Sequence, residues 1–190
     1  TVLNGFANAA AIELTNGNVN QAATLVVTNG TLANTGTISV LVGATGGART
    51  LTAQLDNQVG STLTVDQALT INKGSAQHTN GGTITVSGAN LTLTQSGTTP
   101  SFTNTGTITI GSGLFWIISG GTLNQNAGAI NGSGTLDLTS LTANLPAGFS
   151  NAILALNVNN VIVNGPGTLT NASGHTLTLL LVAGTCILLK

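Results

Sequence analysis

The sequence predicts an all-β fold, a single-domain parallel β-solenoid (right-handed β-helix) of about 22 residues per turn and roughly seven to eight turns. Three observations predict it. A phrase recurs as L-A-N-T-G-T-I at 32–38, H-T-N-G-G-T-I at 78–84 and F-T-N-T-G-T-I at 102–108, with looser copies opening at Leu55 and Leu169. Apolar and polar residues alternate in short runs, such as Ile84-Thr85-Val86, Leu91-Thr92-Leu93, Ile108-Thr109-Ile110, Leu136-Asp137-Leu138 and Leu177-Thr178-Leu179. No segment carries apolar residues at helical spacing over three turns.

The asparagine of the phrase sets the period. Aligned copies place it at Asn34, Asn57, Asn80, Asn104, Asn126, Asn151 and Asn171, in steps of 23, 23, 24, 22, 25 and 20 residues by subtraction. Such a period belongs to stacked-repeat architectures. Within one period the punctuation leaves three short strands. After Asn80 and Gly81-Gly82 a strand runs through Ile84 and Val86, a turn falls at Ser87-Gly88, a second strand carries Leu91 and Leu93, and a turn at Ser96-Gly97 leads to a third piece reaching Phe102. Three strands of this length per period build a triangular coil rather than a meander of hairpins. Successive turns then pair at about 4.8 Å, giving a rod of about 35–40 Å, and the chirality of parallel connections favours the right-handed coil. All of residues 1–190 belong to this one domain, read as a piece or a subunit of a longer rod.

Stacking turns equivalent residues into columns. The asparagine column is expected to be structural, because asparagine tolerates left-handed backbone and its amides hydrogen-bond in ladders. Two residues earlier lies an inward column of Leu32, Leu55, His78, Phe102, Asn124, Phe149 and Leu169. His78 is its polar exception and is expected to be hydrogen-bonded within the fold or exposed at a corner; His175 falls in a turn. After the asparagine comes a Thr-x-Thr strand, with Thr37/Ser39, Thr62/Thr64, Thr83/Thr85, Thr107/Thr109 and Thr176/Thr178 flanking an Ile or Leu. If that central residue points inward, both flanking hydroxyls point outward, and the turns together carry a flat ranked array. The pattern breaks at Ala129-Ile130-Asn131 and Ala152-Ile153-Leu154.

Composition excludes several function classes. Only 4% of residues are charged and the net charge is −1, against roughly 25% charged residues in an ordinary soluble domain. Three cations cannot neutralise a nucleic-acid backbone or hold a polybasic membrane contact. Weak self-repulsion favours association. Four Phe, one Trp and no Tyr leave no aromatic platform for stacking bases or sugars. Cys186 is the one cysteine; it has no intrachain disulfide partner and is expected to be a small buried residue. The start at Thr1 reads as a mature or trimmed form. The apolar run at 177–190 is too short to span a bilayer and reads as a final buried strand.

No catalytic, cofactor-binding or metal-ligating set is expected. The acids Glu13, Asp56, Asp66 and Asp137 share no column, so a carboxylate pair for glycoside hydrolysis is missing. Arg49, Lys73 and Lys190 are the only cations, and no nucleophile elbow appears. Gly111–Gly113 is a turn rather than a phosphate loop, since no helix follows. Asn29, Asn90, Asn131 and Asn171 open N-x-Ser/Thr triplets, a pattern that chance produces in a chain this rich in Asn and Thr.

The phrase N-x-G-T-I-x-V, tiled with G-T-L and G-S-G, resembles the repeats of filamentous-haemagglutinin-like exoproteins and of autotransporter-adhesin passenger domains. That resemblance implies a right-handed β-helix displayed outside the cell, without enzymatic activity, and assigns no individual functional residue. Solenoid ends expose unpaired strands and an open core, and no capping helix is evident at 1–11. The expected partners are therefore further turns of a longer chain or copies stacked head to tail. Neither nucleic acid nor membrane insertion is expected. A surface glycan or host ligand is the partner expected of an adhesive filament. The alternative is a binding module that uses the Thr-x-Thr array, which also resembles the ice-binding face of β-helical antifreeze proteins.

Overall fold

Alternation of apolar and polar residues sends every second side chain inward, and the recurring Asn and Gly residues turn the chain before a strand grows beyond a few residues. The structure, a computed structural model, describes residues 1–44, 46–165, 167–180 and 187–188. In chain order its strands are β1 (Val2–Asn8), β2 (Ala11–Leu14), β3 (Ala23–Asn34), β4 (Thr37–Val40), β5 (Arg49–Asn57), β6 (Thr62–Val65), β7 (Leu69–Ile71) and β8 (Gln77–Asn80). They continue as β9 (Thr83–Val86), β10 (Leu91–Thr94), β11 (Ser101–Asn104), β12 (Thr107–Ile110), β13 (Phe115–Ser119), β14 (Thr122–Gln125), β15 (Ala129–Gly132) and β16 (Thr135–Thr139). The remainder are β17 (Thr142–Asn144), β18 (Phe149–Ser150), β19 (Ala155–Asn159), β20 (Ile162–Asn164), β21 (Leu169–Thr170), β22 (Leu177–Leu180) and β23 (Ile187–Leu188).

Every pair of neighbouring strands is parallel, and among the described residues there is no helix. The chain is a β-solenoid of about eight turns, each of roughly 22 residues. One face stacks β8, β11, β14, β17, β20 and β23, and a second stacks β7, β10, β13, β16, β19 and β22. The long strands β3 and β5 run through the corner between these faces and join them into one sheet. The third face is the six-stranded ladder β2-β4-β6-β9-β12-β15, followed further along the rod by the separate pair β18-β21.

The core is a set of inward columns. Leu69, Leu91, Trp116, Leu136 and Leu156 are in register on one face, and Ile38, Leu63, Ile84, Ile108 and Ile130 on another. The Phe102 and Trp116 rings meet edge to face at 5.2 Å, a favourable aromatic geometry. The glycine of the N-x-G-T phrase lets successive corners close. A Cβ on Gly106 would lie 2.1 Å from the carbonyl oxygen of Gly82, and one on Gly82 would lie 2.4 Å from those of Gln58 and Ser61.

The expected inward column is observed at Leu32, Leu55, His78 and Phe102, then departs from expectation. Its next member is Leu123, not Asn124, followed by Ala143 and Val163. Asn124 points outward, and Phe149 and Leu169 pair with each other in the separate two-stranded sheet. The turn has shortened here, with equivalent residues 21 and then 20 apart instead of 23 or 24. Asparagine therefore no longer marks the equivalent position from turn to turn. Cys186, Pro166 and most of the apolar run after Leu180 lie outside the described residues.

Candidate functional site

Two polar systems run along the rod. The first is buried at the corner between β14's face and the third face. Asn8 Nδ2 donates to Asn34 Oδ1 at 2.8 Å, Asn34 to Asn57 at 2.8 Å, Asn57 to Asn80 at 2.7 Å and Asn80 to Asn104 at 2.8 Å. Asn104 Nδ2 then donates to Gln125 Oε1 at 3.0 Å. The same Nδ2 atoms also donate to the backbone carbonyls of Thr37, Thr62, Thr83, Thr107 and Ala129. Asn34, Asn57, Asn80 and Asn104 are fully buried, and each amide is satisfied by the next rung and by a backbone carbonyl at the corner.

Asn126 is not a rung: it is exposed, and Gln125 occupies the position because it is in register with Asn104. Asn8 is a rung that its unmatched local sequence conceals. Asn151 and Asn171 form a separate rung, 2.8 Å long, at the corner that follows β18. There Asn151 Nδ2 repeats the second bond, to the Thr176 carbonyl at 3.2 Å.

The second system is the outward surface of the six-stranded sheet. Thr37, Thr62, Thr83 and Thr107 form one rank; Ser39, Thr64, Thr85 and Thr109 form the other. Ile38, Leu63, Ile84 and Ile108 between them are fully buried, so the hydroxyls and methyls face out. Neighbours lie about 4.8 Å apart across strands and about 6.6 Å apart along them. Ala11 and Glu13 border the array on one side, Ala129 and Asn131 on the other, where Thr109 Oγ1 donates to Asn131 Oδ1 at 2.9 Å. Thr176 and Thr178 do not extend it. Thr178 belongs to β22, in register with Asn157 on a different face, and Thr176 precedes that strand.

The acids lie on separate surfaces. Asp66 accepts from Ser87 Oγ at 2.6 Å, Asp137 from Asn157 Nδ2 at 3.2 Å, and Asp56 from the Thr79 hydroxyl. Asp56 and Asp137 each accept one further bond, from Gln58 Nε2 at 3.0 Å and from Thr139 Oγ1 at 3.2 Å. Among the described residues no three His, Cys, Asp or Glu side chains converge. Of the N-x-Ser/Thr asparagines, Asn90, Asn131 and Asn171 are hydrogen-bonded within the protein, and Asn29 is exposed.

His78 points into the core, and its Nδ1 accepts the Leu55 backbone N–H at 3.1 Å. Burial lowers its pKa from the ordinary 6.5 to about 4. The unfolded chain therefore takes up a proton more readily than the folded one. The stability that the neutral ring secures is complete above about pH 6.5 and is lost as pH falls towards 4, a change of about 3 kcal/mol. Urea midpoints should fall across that window. The slope should vanish in His78→Leu, and an equal slope in that variant would refute the assignment.

Sequence reasoning missed two buried polar features. Arg49 is 1% exposed. Its Nε donates to Leu41 O at 3.1 Å, its Nη2 to Val42 O at 2.8 Å, and its Nη1 to Gln21 O at 3.2 Å and Gly47 O at 3.1 Å. The guanidinium thus ties a glycine-rich loop to the preceding turn. The Gln95 side-chain amide and the Trp116 indole N–H are buried without a hydrogen-bond partner among the described residues. No protein-family model, curated protein or solved structure matches the chain.

Proposed function

We propose that this chain is a non-enzymatic structural β-solenoid, a segment of an extracellular filament or stalk that lengthens by end-to-end stacking and presents its faces for adhesion to glycan or host ligands. Column continuity carries the reading. The buried amide ladder and the inward aliphatic columns pass from turn to turn without a change of geometry until residue 125. Among the described residues β1 pairs only with β3, and an unpaired parallel edge accepts another turn, whether from the same chain or from another copy. Negative-stain electron microscopy at low and high protein concentration tests the stacking. Long fibres of uniform width are expected at high concentration. Short monodisperse rods at every concentration would overturn it.

The two threonine ranks favour a second reading, recognition of ice by the outward surface of β4, β6, β9 and β12. Thermal hysteresis should be measurable and should disappear when Thr85→Lys and Thr109→Lys are combined. No hysteresis, or hysteresis indifferent to those substitutions, removes this reading.

A further inference from the structure

Six asparagines precede a glycine: Asn4, Asn16, Asn29, Asn80, Asn131 and Asn164. Such a step brings a backbone nitrogen with no flanking Cβ within reach of the preceding side-chain carbonyl, provided the chain there can bend. The fold treats the six differently. Four are held. Asn80 is a fully buried rung that donates to Asn104 Oδ1 at 2.8 Å. Asn16 is buried, and its Nδ2 donates to Gln21 O at 2.9 Å. Asn131 Oδ1 accepts from Thr109 Oγ1 at 2.9 Å, and Asn164 Nδ2 donates to Asn144 Oδ1 at 3.2 Å.

Asn4 and Asn29 lie side by side in register on β1 and β3. Both are exposed, and neither side chain makes a hydrogen bond among the described residues. The glycines that follow them differ. A Cβ on Gly5 would lie 2.5 Å from Thr31 N and 2.6 Å from Thr31 O, so Gly5 is hemmed in by backbone; one on Gly30 would come no nearer than 3.1 Å, to Gly5 N. The backbone around Gly30 also leaves the regular ladder. The β3–β5 register jumps from Val26↔Thr52 to Thr31↔Gln54, the β1–β3 register jumps between Asn4 and Phe6, and Gly30 is left-handed at φ 77°. Residues 27–30 therefore form a bulge, whose extra residues lack strand partners on the β5 side. Lys73 Nζ holds two of its carbonyls instead, Val27 O at 3.1 Å and Thr28 O at 2.7 Å.

We propose that Asn29-Gly30 is a self-modifying site, at which Asn29 of the folded protein converts to an aspartyl or isoaspartyl residue through a cyclic imide. The Gly30 backbone nitrogen bonds to Asn29 Cγ, the Cγ–Nδ2 bond breaks, and Nδ2 leaves as ammonia with the Gly30 amide proton. Water then opens the ring. Addition at Cγ gives the aspartyl product, and addition at the main-chain carbonyl gives the isoaspartyl product, whose main chain is longer by a carbon. A bulge absorbs that extra length, whereas a rung of the buried ladder would lose its bonds. Either product places a carboxylate one residue from the carbonyl that Lys73 holds, and adds a negative charge to a chain whose formal net charge is −1.

The test incubates the intact chain at neutral pH over days and reads all six steps by peptide mass mapping, as replacement of NH by O. The rate at Asn29 should be roughly tenfold or more above those at Asn16, Asn80, Asn131 and Asn164, because each of those must first break its bonds. The β-strand circular dichroism should stay constant while Asn29 converts. In the guanidinium-unfolded chain the ranking should vanish, since all six share the same Asn-Gly chemistry. Asn29→Gln keeps the amide but demands a larger ring, and should remove the fast phase of ammonia release. The proposal is overturned if Asn29 in the folded chain converts no faster than Asn80, or if the same ranking persists after unfolding.

Discussion

Ile108→Asp is expected to destroy the cooperative unfolding transition of the rod. Ile108 is fully buried between Ile84 and Ile130 in its column, and an aspartate there has no cation to pair with and no water to face. The cost should exceed about 4 kcal/mol, which is exceptional for one substitution. Because each turn rests only on its neighbours, the loss should spread to the ladders on both sides, and the β-strand circular dichroism should fall. Ile108→Val, which removes a single methylene, should cost about 1 kcal/mol. Thr109→Asp, one residue along but facing out, should cost less than about 1 kcal/mol. If Ile108→Asp melts like the parent, the inward assignment of the Thr-Ile-Thr strand is wrong.

Arg49→Met should be the next most damaging change, at about 3 kcal/mol. The methionine fills much of the same space, but the carbonyls of Gln21, Leu41, Val42 and Gly47 lose a shared donor, and partly buried acceptors left without one are costly. Arg49→Lys should recover less than half of the loss, because an ammonium lacks the fork that reaches Leu41 and Val42 together. Urea melts measure the loss, and amide exchange at Leu41–Val42 and Gly46–Ala48 should quicken in the same variant. A Met variant with an unchanged midpoint would show that the guanidinium is dispensable.

Ile108 and Arg49 also mark what the sequence makes legible. The fold could be read because its signal is local and repeated: alternation sets strand faces, and the Asn-to-Asn step sets the turn. The Thr ranks at 37–109 followed directly, since a residue flanked by inward neighbours faces out. Register was readable only while the period held. Once the turn shortens to 21 residues, the nearest asparagine is no longer the equivalent residue, and Gln125 rather than Asn126 makes the bond. The same drift put Thr176 and Thr178 on the wrong face. Arg49 was opaque for another reason. Its acceptors come from Gln21, Leu41, Val42 and Gly47, and only the coil brings those carbonyls together. The end of the six-stranded ladder at β15 coincides with the broken pattern at 129–131 and 152–154, but that break alone does not show that the other faces stay closed.

The amide ladder gives the rod an electrical direction. Every rung from Asn8 to Asn104 donates towards the higher-numbered turn, and the carbonyls that take the second hydrogen of each Nδ2 hold all five amides in that sense. Strand dipoles largely cancel in a sheet, whereas these side-chain dipoles add head to tail and polarise one another. The ladder's acceptor pole therefore lies at Asn8 in the first turn, and its donor pole lies inside the rod, where Gln125 Nε2 meets the Gly128 carbonyl. Under the proposed end-to-end stacking, a fibre of such rods is expected to be vectorial, because the ladder runs in one sense along every copy.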